Sequence, residues 1–285
     1  MKITNKSNLP DAIVQAVQND SYSAGKSDTS VTTLLRPPRA VALSKQNASE
    51  MVEDASDRIW ALLGQAVHTI LERADNSTAL IEKRFLAPVN GWIVSGQIDR
   101  YDHETKTIQD YKITSAFVAK AAKLGEKKDF DSQLNMLAYL MRENGYEVER
   151  LQIVAILRDW SKLNVLRDPD YPRSQVVVID IPIWSDDEVL EYISNRILAH
   201  QEALKDLPLC SDDDRWAKGE AWAVMKGGRK SALRVLKTLP EAHEWLENNP
   251  QKGNIGIAHR PPVFTRCEHY CSVSEFCDQF KGKEK

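Results

Sequence analysis

The chain has 285 residues, of which 42% are hydrophobic and 28% are charged, a composition typical of a folded protein with a sizeable core. Its formal net charge of −3 and pI near 6.1 exclude an overall basic surface for binding nucleic acid. No run of about 18 apolar residues is present, and the N-terminus MKITNKSNLPD lacks the apolar core of a signal peptide, so we expect a cytosolic protein without a membrane span.

The first 50 residues are mixed in character and predict an arm that packs on a core. Residues 22–30 are small and polar, which is typical of a loop. Ser30 is a good cap for a short helix over 30–35, and Pro37-Pro38 would end that helix.

Residues 51–74 predict the strongest helix of the chain. Its apolar residues recur at helical spacing and would form a broad core stripe: Ile59, Trp60, Leu62, Leu63, Ala66, Val67, Ile70 and Leu71. His68 lies on a neighbouring row. It is either a core histidine bonded to backbone or a metal ligand that faces the next element.

Residues 79–89 predict a strand, and residues 91–114 a β-hairpin with a polar turn over 102–106. Glu82 favours a surface position beside Lys83 and Arg84, although a place near a metal is the alternative.

A turn centred between Glu104 and Thr105 puts Asp99 opposite Asp110, with Lys112 on the face of Asp110. Opposed carboxylates repel each other, and a divalent cation offsets that repulsion. The hairpin therefore predicts a metal site with an attendant lysine, which suits phosphate chemistry. The alternative is a hairpin whose charges only face water.

The remaining elements predict a mixed sheet flanked by helices over a core of residues 51–205. After a basic run over 120–128 come a helix over 130–144, with Gln133 on its flank, and a buried strand over 151–157. A strand over 174–182 and a helix over 186–204 follow. The fold class is therefore α/β, with a separate C-terminal region over 206–285 that carries two short strands, 222–225 and 232–236.

The four cysteines fall in this C-terminal region, three of them within RCEHYCSVSEFC. They are Cys210, Cys267, Cys271 and Cys277. Zinc ribbons usually pair ligands two and two, whereas one plus three is compatible with a cubane iron–sulfur cluster. Unliganded thiols, and zinc with Cys210 or His269 as the fourth ligand, are the alternatives.

Four segments taken in order resemble the successive motifs of RecB-like nucleases in the PD-(D/E)xK superfamily. They are GQAVH at 64–68, GQID at 96–99, DYK at 110–112 and QLN at 133–135. The terminal cysteines resemble those of the iron–sulfur members, including CRISPR-adaptation nucleases, and the whole chain is similar to stand-alone exonucleases often encoded by phages. One position departs, because the family often has tyrosine four residues after the glutamine and this chain has Leu137.

The resemblance implies a restriction-endonuclease-like core and a role for each matching residue. His68, Asp99 and Asp110 would bind Mg²⁺ or Mn²⁺, with the carbonyl of Tyr111 as a further ligand. Lys112 would activate the attacking water, and Gln133 would support the site. Cys210, Cys267, Cys271 and Cys277 would hold a 4Fe–4S cluster.

The function expected from this resemblance is that of a metal-dependent DNA nuclease, with an exonuclease favoured, in recombination, repair or replication. Its partners would be single- or double-stranded DNA ends, with recombination or replication proteins or a second copy of the chain as further partners. The protein would be located in the cytoplasm, or in the cytoplasm of the host cell if a phage encodes it. The alternatives are a catalytically weak DNA-binding or recombination-partner module and an enzyme that acts on RNA.

Overall fold

A computed structural model describes residues 2–19, 26–74 and 79–282 of the chain. The chain separates into two compact units, Met1–Leu207 and Pro208–Lys285. The sequence-based division at residues 50 and 205 stays a prediction, and residues 22–25 of the predicted loop lie outside the described residues. No described helix is long and apolar enough to span a membrane.

The first unit contains ten strands among its described residues. They are β1 (Lys2–Thr4), β2 (Thr29–Ser30), β3 (Val52–Asp54), β4 (Leu80–Ile81), β5 (Arg84–Val89), β6 (Trp92–Gln97), β7 (Arg100–Asp102), β8 (Thr107–Thr114), β9 (Arg150–Leu157) and β10 (Val176–Ile181). Its helices are α1 (Asp11–Gln18), α2 (Val31–Leu34), α3 (Pro38–Gln46), α4 (Ile59–Ala74), α5 (Ala116–Lys123), α6 (Lys128–Glu143), α7 (Lys162–Arg167) and α8 (Asp186–Ala203).

Two mixed sheets form the centre of this unit. One has the strand order β10-β9-β8-β7-β4, in which β8 and β9 run parallel and the other pairs antiparallel, and the other sheet has the order β2-β6-β5. Helix α6 packs against both sheets, and α8 packs on α6 and β5. The predicted α/β class with a mixed sheet flanked by helices is confirmed, and it is consistent with a restriction-endonuclease-like core.

Strands β4 and β5 pair with β7 and β6, and β7 pairs with β8, so these five strands form one antiparallel ribbon that contributes to both sheets. The predicted single hairpin over 91–114 is therefore wrong in its first strand. That strand breaks at Ile98 and Asp99 into β6 and β7, which belong to different sheets. The facing strand, predicted as continuous over 79–89, breaks at Glu82 and Lys83 into β4 and β5. Backbone hydrogen bonds cross the break, from Glu82 N to Asp99 O and from Ile98 N to Lys83 O, both 3.0 Å long. The ribbon therefore bends there without losing its pairing.

Helix α6 packs directly against Gly96, the glycine of the GQID segment. A Cβ atom on Gly96 would lie 2.5 Å from Leu137 Cδ2 and 2.9 Å from Leu140 Cδ1. Both leucines are buried, so Leu137 is a core residue. A side chain at position 96 would therefore force these buried leucines to move, which favours glycine where α6 approaches β6.

Helix α4 differs from its prediction in extent and in what its apolar residues contact. It begins at Ile59, after β3 and a short 3-10 turn over Ala55–Arg58, whereas the prediction began at residue 51. Trp60 and Ile70 are 57% and 63% exposed, whereas Ile59, Leu62, Val67 and Leu71 are half-buried, so the described residues cover the predicted core stripe only in part. The helix also contacts strand β8 on the side that carries His68. Periodicity finds an apolar face but does not identify what covers it.

The second unit contains five short strands and four short helices among its described residues. They are β11 (Ala217–Lys218), β12 (Ala221–Lys226), β13 (Arg234–Leu236), β14 (Ile255–Arg260) and β15 (Val263–Phe264), with α9 (Asp212–Arg215), α10 (Leu239–Asn248), α11 (Thr265–His269) and α12 (Asp278–Lys281). Strands β13-β12-β14 form a sheet, and β11 pairs with β15. The two predicted strands correspond to β12 and β13.

Candidate metal centre

Three carboxylates stand side by side across the bent ribbon. In the pairs β5/β6 and β4/β7, Arg84 faces Gln97 and Ile81 faces Arg100. The same register across the bend sets Glu82 opposite Asp99. In the pair β7/β8, Arg100 faces Gln109, and one step further along this register Asp99 meets Asp110. The predicted opposition of Asp99 and Asp110 is therefore present, and Glu82 adds a third acid to the row.

Asp99 and Asp110 are both largely removed from water. The side chain of Asp99 is 12% exposed and that of Asp110 is 4% exposed. Burial, and then the negative charge of Asp110, raise the pKa of Asp99 to about 7. Asp99 Oδ2 accepts a hydrogen bond of 2.7 Å from Tyr111 N, which holds the carboxyl at the edge of β8. A cation here would remove the charge repulsion that raises this pKa.

Lys112 and Gln133 hold Asp110 from two sides. Gln133 Nε2, on α6, donates a 3.0 Å hydrogen bond to Asp110 Oδ1, and Lys112 Nζ lies 2.7 Å from Asp110 Oδ2. Each carboxylate oxygen has two lone pairs, so Asp110 Oδ2 keeps acceptor capacity beside its ion pair with Lys112. A buried carboxylate oxygen with spare acceptor capacity suits a metal ion.

His68 reaches the same row from helix α4. Its Nε2 lies 3.1 Å from Tyr111 O, and its Nδ1 lies 3.2 Å from Glu82 Oε1 and 3.5 Å from Asp99 Oδ1. Because both ring nitrogens face acceptors, the imidazolium form is favoured. The hydrogen bond with Glu82 raises the pKa of His68 against the opposing effect of burial, and the charge of Asp99 adds to the rise. The ring thus has the backbone partner of the first interpretation and the carboxylate neighbours that the second, a metal ligand, requires.

The expectation that Glu82 lies on the surface is also wrong. Its side chain is 24% exposed, and Gln97 Nε2 donates a 2.6 Å hydrogen bond to Glu82 Oε2. Burial raises the pKa of Glu82, but the hydrogen bonds from His68 and Gln97 outweigh it, so the net shift is downward. One sequence signal could have found this position. Asn90-Gly91, both with positive φ, form the two-residue turn that places Glu82 opposite Asp99.

The acids and Lys112 line one cavity of about 220 Å³. Ser30, Thr32 and Ser95 are among its other lining residues. Glu82, Asp99 and Asp110 face the Lys112 ammonium and the neighbouring His68 ring, so the site carries net negative charge, and attracts cations, once His68 has lost its proton and Asp99 is ionised. Carboxylates, one imidazole and one backbone carbonyl make a donor set that fits Mg²⁺ or Mn²⁺.

The four cysteines lie in the second unit, where several contacts bring them near one another. The Gln279 side chain spans the backbone of Cys210, accepting from its N at 2.8 Å and donating to its O at 3.0 Å. Burial raises the pKa of Cys271, and the nearby thiols of Cys267 and Cys277 raise it further. Cys210 thus contacts Gln279 in the first turn of α12, directly after Cys277, while Cys267 and Cys277 lie close enough to Cys271 to affect its thiol.

No family model matches this chain, and no curated protein is similar to it. The crystal structure of SSO0001 is 19% identical over 65% of this chain and 83% of that chain, with a TM-score of 0.44. The phage related exonuclease from Haemophilus somnus 129PT is 17% identical over 60% of this chain and 80% of that chain, with a TM-score of 0.38. With TM-scores this low, the chemistry must be argued from the site itself.

The sequence-predicted residues of the centre thus meet at one point, while the cysteines form a separate group. His68, Asp99, Asp110, Tyr111, Lys112 and Gln133 are all linked by contacts within the bent ribbon and the two helices beside it. The arrangement can hold a divalent cation beside a lysine ammonium, in a cavity open to a phosphate-sized ligand.

Proposed function

We propose that this protein is a metal-dependent nuclease that hydrolyses phosphodiester bonds in DNA, and that it acts as an exonuclease. The observation that carries the proposal is the placement of Lys112 Nζ 2.7 Å from Asp110 Oδ2 in a cavity that Asp99 also lines. Three carboxylates beside a lysine suit a reaction in which a cation and an ammonium both act on a phosphate group.

Each residue of the site has a distinct part in this reaction. Asp99 and Asp110, together with His68 and the Tyr111 carbonyl, would hold Mg²⁺ or Mn²⁺. The bound cation would supply an acidified water and neutralise charge on the phosphate oxygens. Lys112 would orient the attacking water and stabilise the negative charge that develops at the phosphate. Gln133 would keep Asp110 in place through its 3.0 Å hydrogen bond.

Affinity for DNA would come from basic segments outside the row of carboxylates. Lys123 and Lys128 are exposed in the run over 120–128. The Lys120 ammonium forms ion pairs with Asp168 and Asp170, at 3.9 Å and 3.5 Å. Contacts from these lysines and from residues 226–234 would be independent of sequence and would weaken as salt concentration rises.

The proposal is tested by cleavage of matched linear and covalently closed circular DNA, single- and double-stranded, with Mn²⁺. We expect degradation of linear DNA only, and no degradation by Lys112→Ala. Cutting of circles would replace the exonuclease with an endonuclease. Cleavage that persists in Lys112→Ala would overturn the assignment, and absence of cleavage by the wild-type protein would favour a binding module.

We also propose that Cys210, Cys267, Cys271 and Cys277 hold a 4Fe–4S cluster. One upstream cysteine plus three within RCEHYCSVSEFC is the arrangement that supports a cluster held by four thiolates, since zinc ribbons usually pair their ligands two and two. Protein purified without oxygen should contain iron and acid-labile sulfide in equal amounts. Stoichiometric zinc without iron would contradict this.

A further inference from the structure

Glu82 is held at the bend of the ribbon in a conformation that costs free energy. Its φ of +49° lies in the left-handed region, which costs a non-glycine residue about 1 kcal/mol or more. The hydrogen bond from Glu82 N to Asp99 O keeps the residue there. The bend also places its side chain beside His68 and Asp99. Strain held at one acidic residue beside a candidate site is a reason to ask what that residue does.

Both oxygens of the Glu82 carboxylate are oriented by neighbouring side chains. Oε1 lies 3.2 Å from His68 Nδ1, and Oε2 accepts a 2.6 Å hydrogen bond from Gln97 Nε2. Gln97 is itself fixed, because Arg84 donates a 2.9 Å hydrogen bond to its Oε1. A chain of three side chains along strands β5 and β6 therefore aims Glu82 into the cavity.

We propose that Glu82, together with His68 and Asp99, is a direct ligand of the divalent cation. This inference rests on the proposed function. His68 Nδ1 lies 3.2 Å from Glu82 Oε1 and 3.5 Å from Asp99 Oδ1, and one ligand atom from each of the three residues forms a compact group. Ligands of Mg²⁺ lie about 2.1 Å from the ion in octahedral geometry, so neighbouring ligand atoms are roughly 3.0 Å apart. The two printed separations are close to that value.

Asp110 gives independent support for a cation in this cavity. It is buried, lines the same cavity as Glu82, and has its Oδ2 2.7 Å from the Lys112 ammonium. Asp110 stands beside the compact group of His68, Glu82 and Asp99, to which Glu82 would supply the third ligand atom.

The competing explanation is that Glu82 only orients His68. Losing a residue that orients a ligand typically weakens metal binding by about 10- to 100-fold, so a single substitution does not separate the two roles. A double-mutant cycle does, because a residue that acts only through His68 has no effect once His68 is replaced.

The test is titration of the full-length protein with MnCl₂ in the absence of DNA, followed by calorimetry. We expect Glu82→Gln to weaken Mn²⁺ binding about 10-fold or more, and to weaken it by a similar factor again in a His68→Gln background. Glu72→Gln, on the exposed side of α4, is the matched control and should bind Mn²⁺ like the wild type. No further loss in the His68→Gln background would overturn the proposal.

A crystal structure of Lys112→Ala with Mn²⁺ decides the case in which the His68→Gln background binds too weakly to measure. A Glu82 oxygen about 2.2 Å from the ion is expected, and a Glu82 carboxylate outside the coordination shell would overturn the proposal. Neither readout uses DNA. Lys112-dependent cleavage with unchanged Mn²⁺ binding by Glu82→Gln would therefore contradict this inference alone, and leave the nuclease in place.

Discussion

The carboxylate row in the first unit and the cysteine group in the second are built in opposite ways. Asp110 lies on β8, and Glu82 and Asp99 lie in the bend between paired strands, so backbone hydrogen bonds fix their spacing before any ion binds. The cysteines sit in short helices and turns, and the backbone of Cys210 is held by the side chain of one glutamine. Sheet pairing thus forms a site in advance, whereas a site on loops depends more on what it binds.

The largest effect expected from this difference is on catalysis. Asp110→Asn should lower the rate of Mn²⁺-dependent DNA cleavage about 10³-fold or more, because it removes the charge that would hold the cation. The variant should still fold, since the amide oxygen of the new side chain would keep an acceptor for Gln133. Cleavage and thermal unfolding are measured on the same preparations, with Glu104→Gln in the exposed turn as control. Cleavage at the wild-type rate would remove Asp110 from the centre.

The second largest effect is on the stability of the cysteine unit. Among the described residues of that unit, the buried apolar side chains besides Cys277 are Ala223, Val224, Ala242, Phe264 and Val273. Because so small a core needs a metal or another crosslink, Cys277→Ser should destabilise this unit by roughly 2–5 kcal/mol or unfold it.

Limited proteolysis of the full chain measures this effect. Cuts should appear after residue 207 in Cys277→Ser, while the first unit stays protected, and Ser272→Ala should behave like the wild type. Equal protection of both units in Cys277→Ser would contradict the dependence of the second unit on its thiols.

Substitutions at two glycines, Gly96 and Gly64, test whether the packing of α6 on β6 supports the carboxylate site. Gly96→Ala should destabilise the protein by about 1–3 kcal/mol, because its Cβ would meet Leu137 and Leu140 at less than 3 Å. Gly64→Ala, in the exposed helix α4 with nothing within 4 Å, should stabilise it by up to about 1 kcal/mol. Denaturant titrations give both values. A Gly96→Ala variant as stable as the wild type would contradict the close approach of α6 to β6.

The smallest effect expected is a dependence of stability on pH in the metal-free protein. The pKa of Asp99 is raised to about 7 by burial and by Asp110, above its ordinary value of 3.8. The unfolded chain therefore loses this proton first, and the contribution of Asp99 to stability is lost as pH rises from about 4 to 7.

Between pH 5 and pH 8 the wild type should lose on the order of 1 kcal/mol more stability than Asp99→Asn. Added Mg²⁺ should reduce this difference. Parallel pH profiles for the two proteins would show that Asp99 does not carry the expected charge repulsion.

Much of the centre was predictable because strand pairing is local. The polar turn near Thr105 fixes the pairing of Asp99 with Asp110, and alternation along β8 puts Lys112 beside Asp110. The same reasoning, applied to the Asn90-Gly91 turn, predicts the place of Glu82. Residues on either side of a short turn leave few alternatives for register.

The sequence by itself therefore determined the mixed sheet in outline, the opposition of Asp99 and Asp110 and the clustering of three cysteines near the C-terminus. Only the tertiary structure decided that His68, rather than the apolar stripe of α4, faces the site, and that Gln133 reaches Asp110. Periodicity and turn chemistry are set by neighbours along the chain. The contact between a helix face and a distant strand depends on how whole elements pack, and no local pattern encodes that choice.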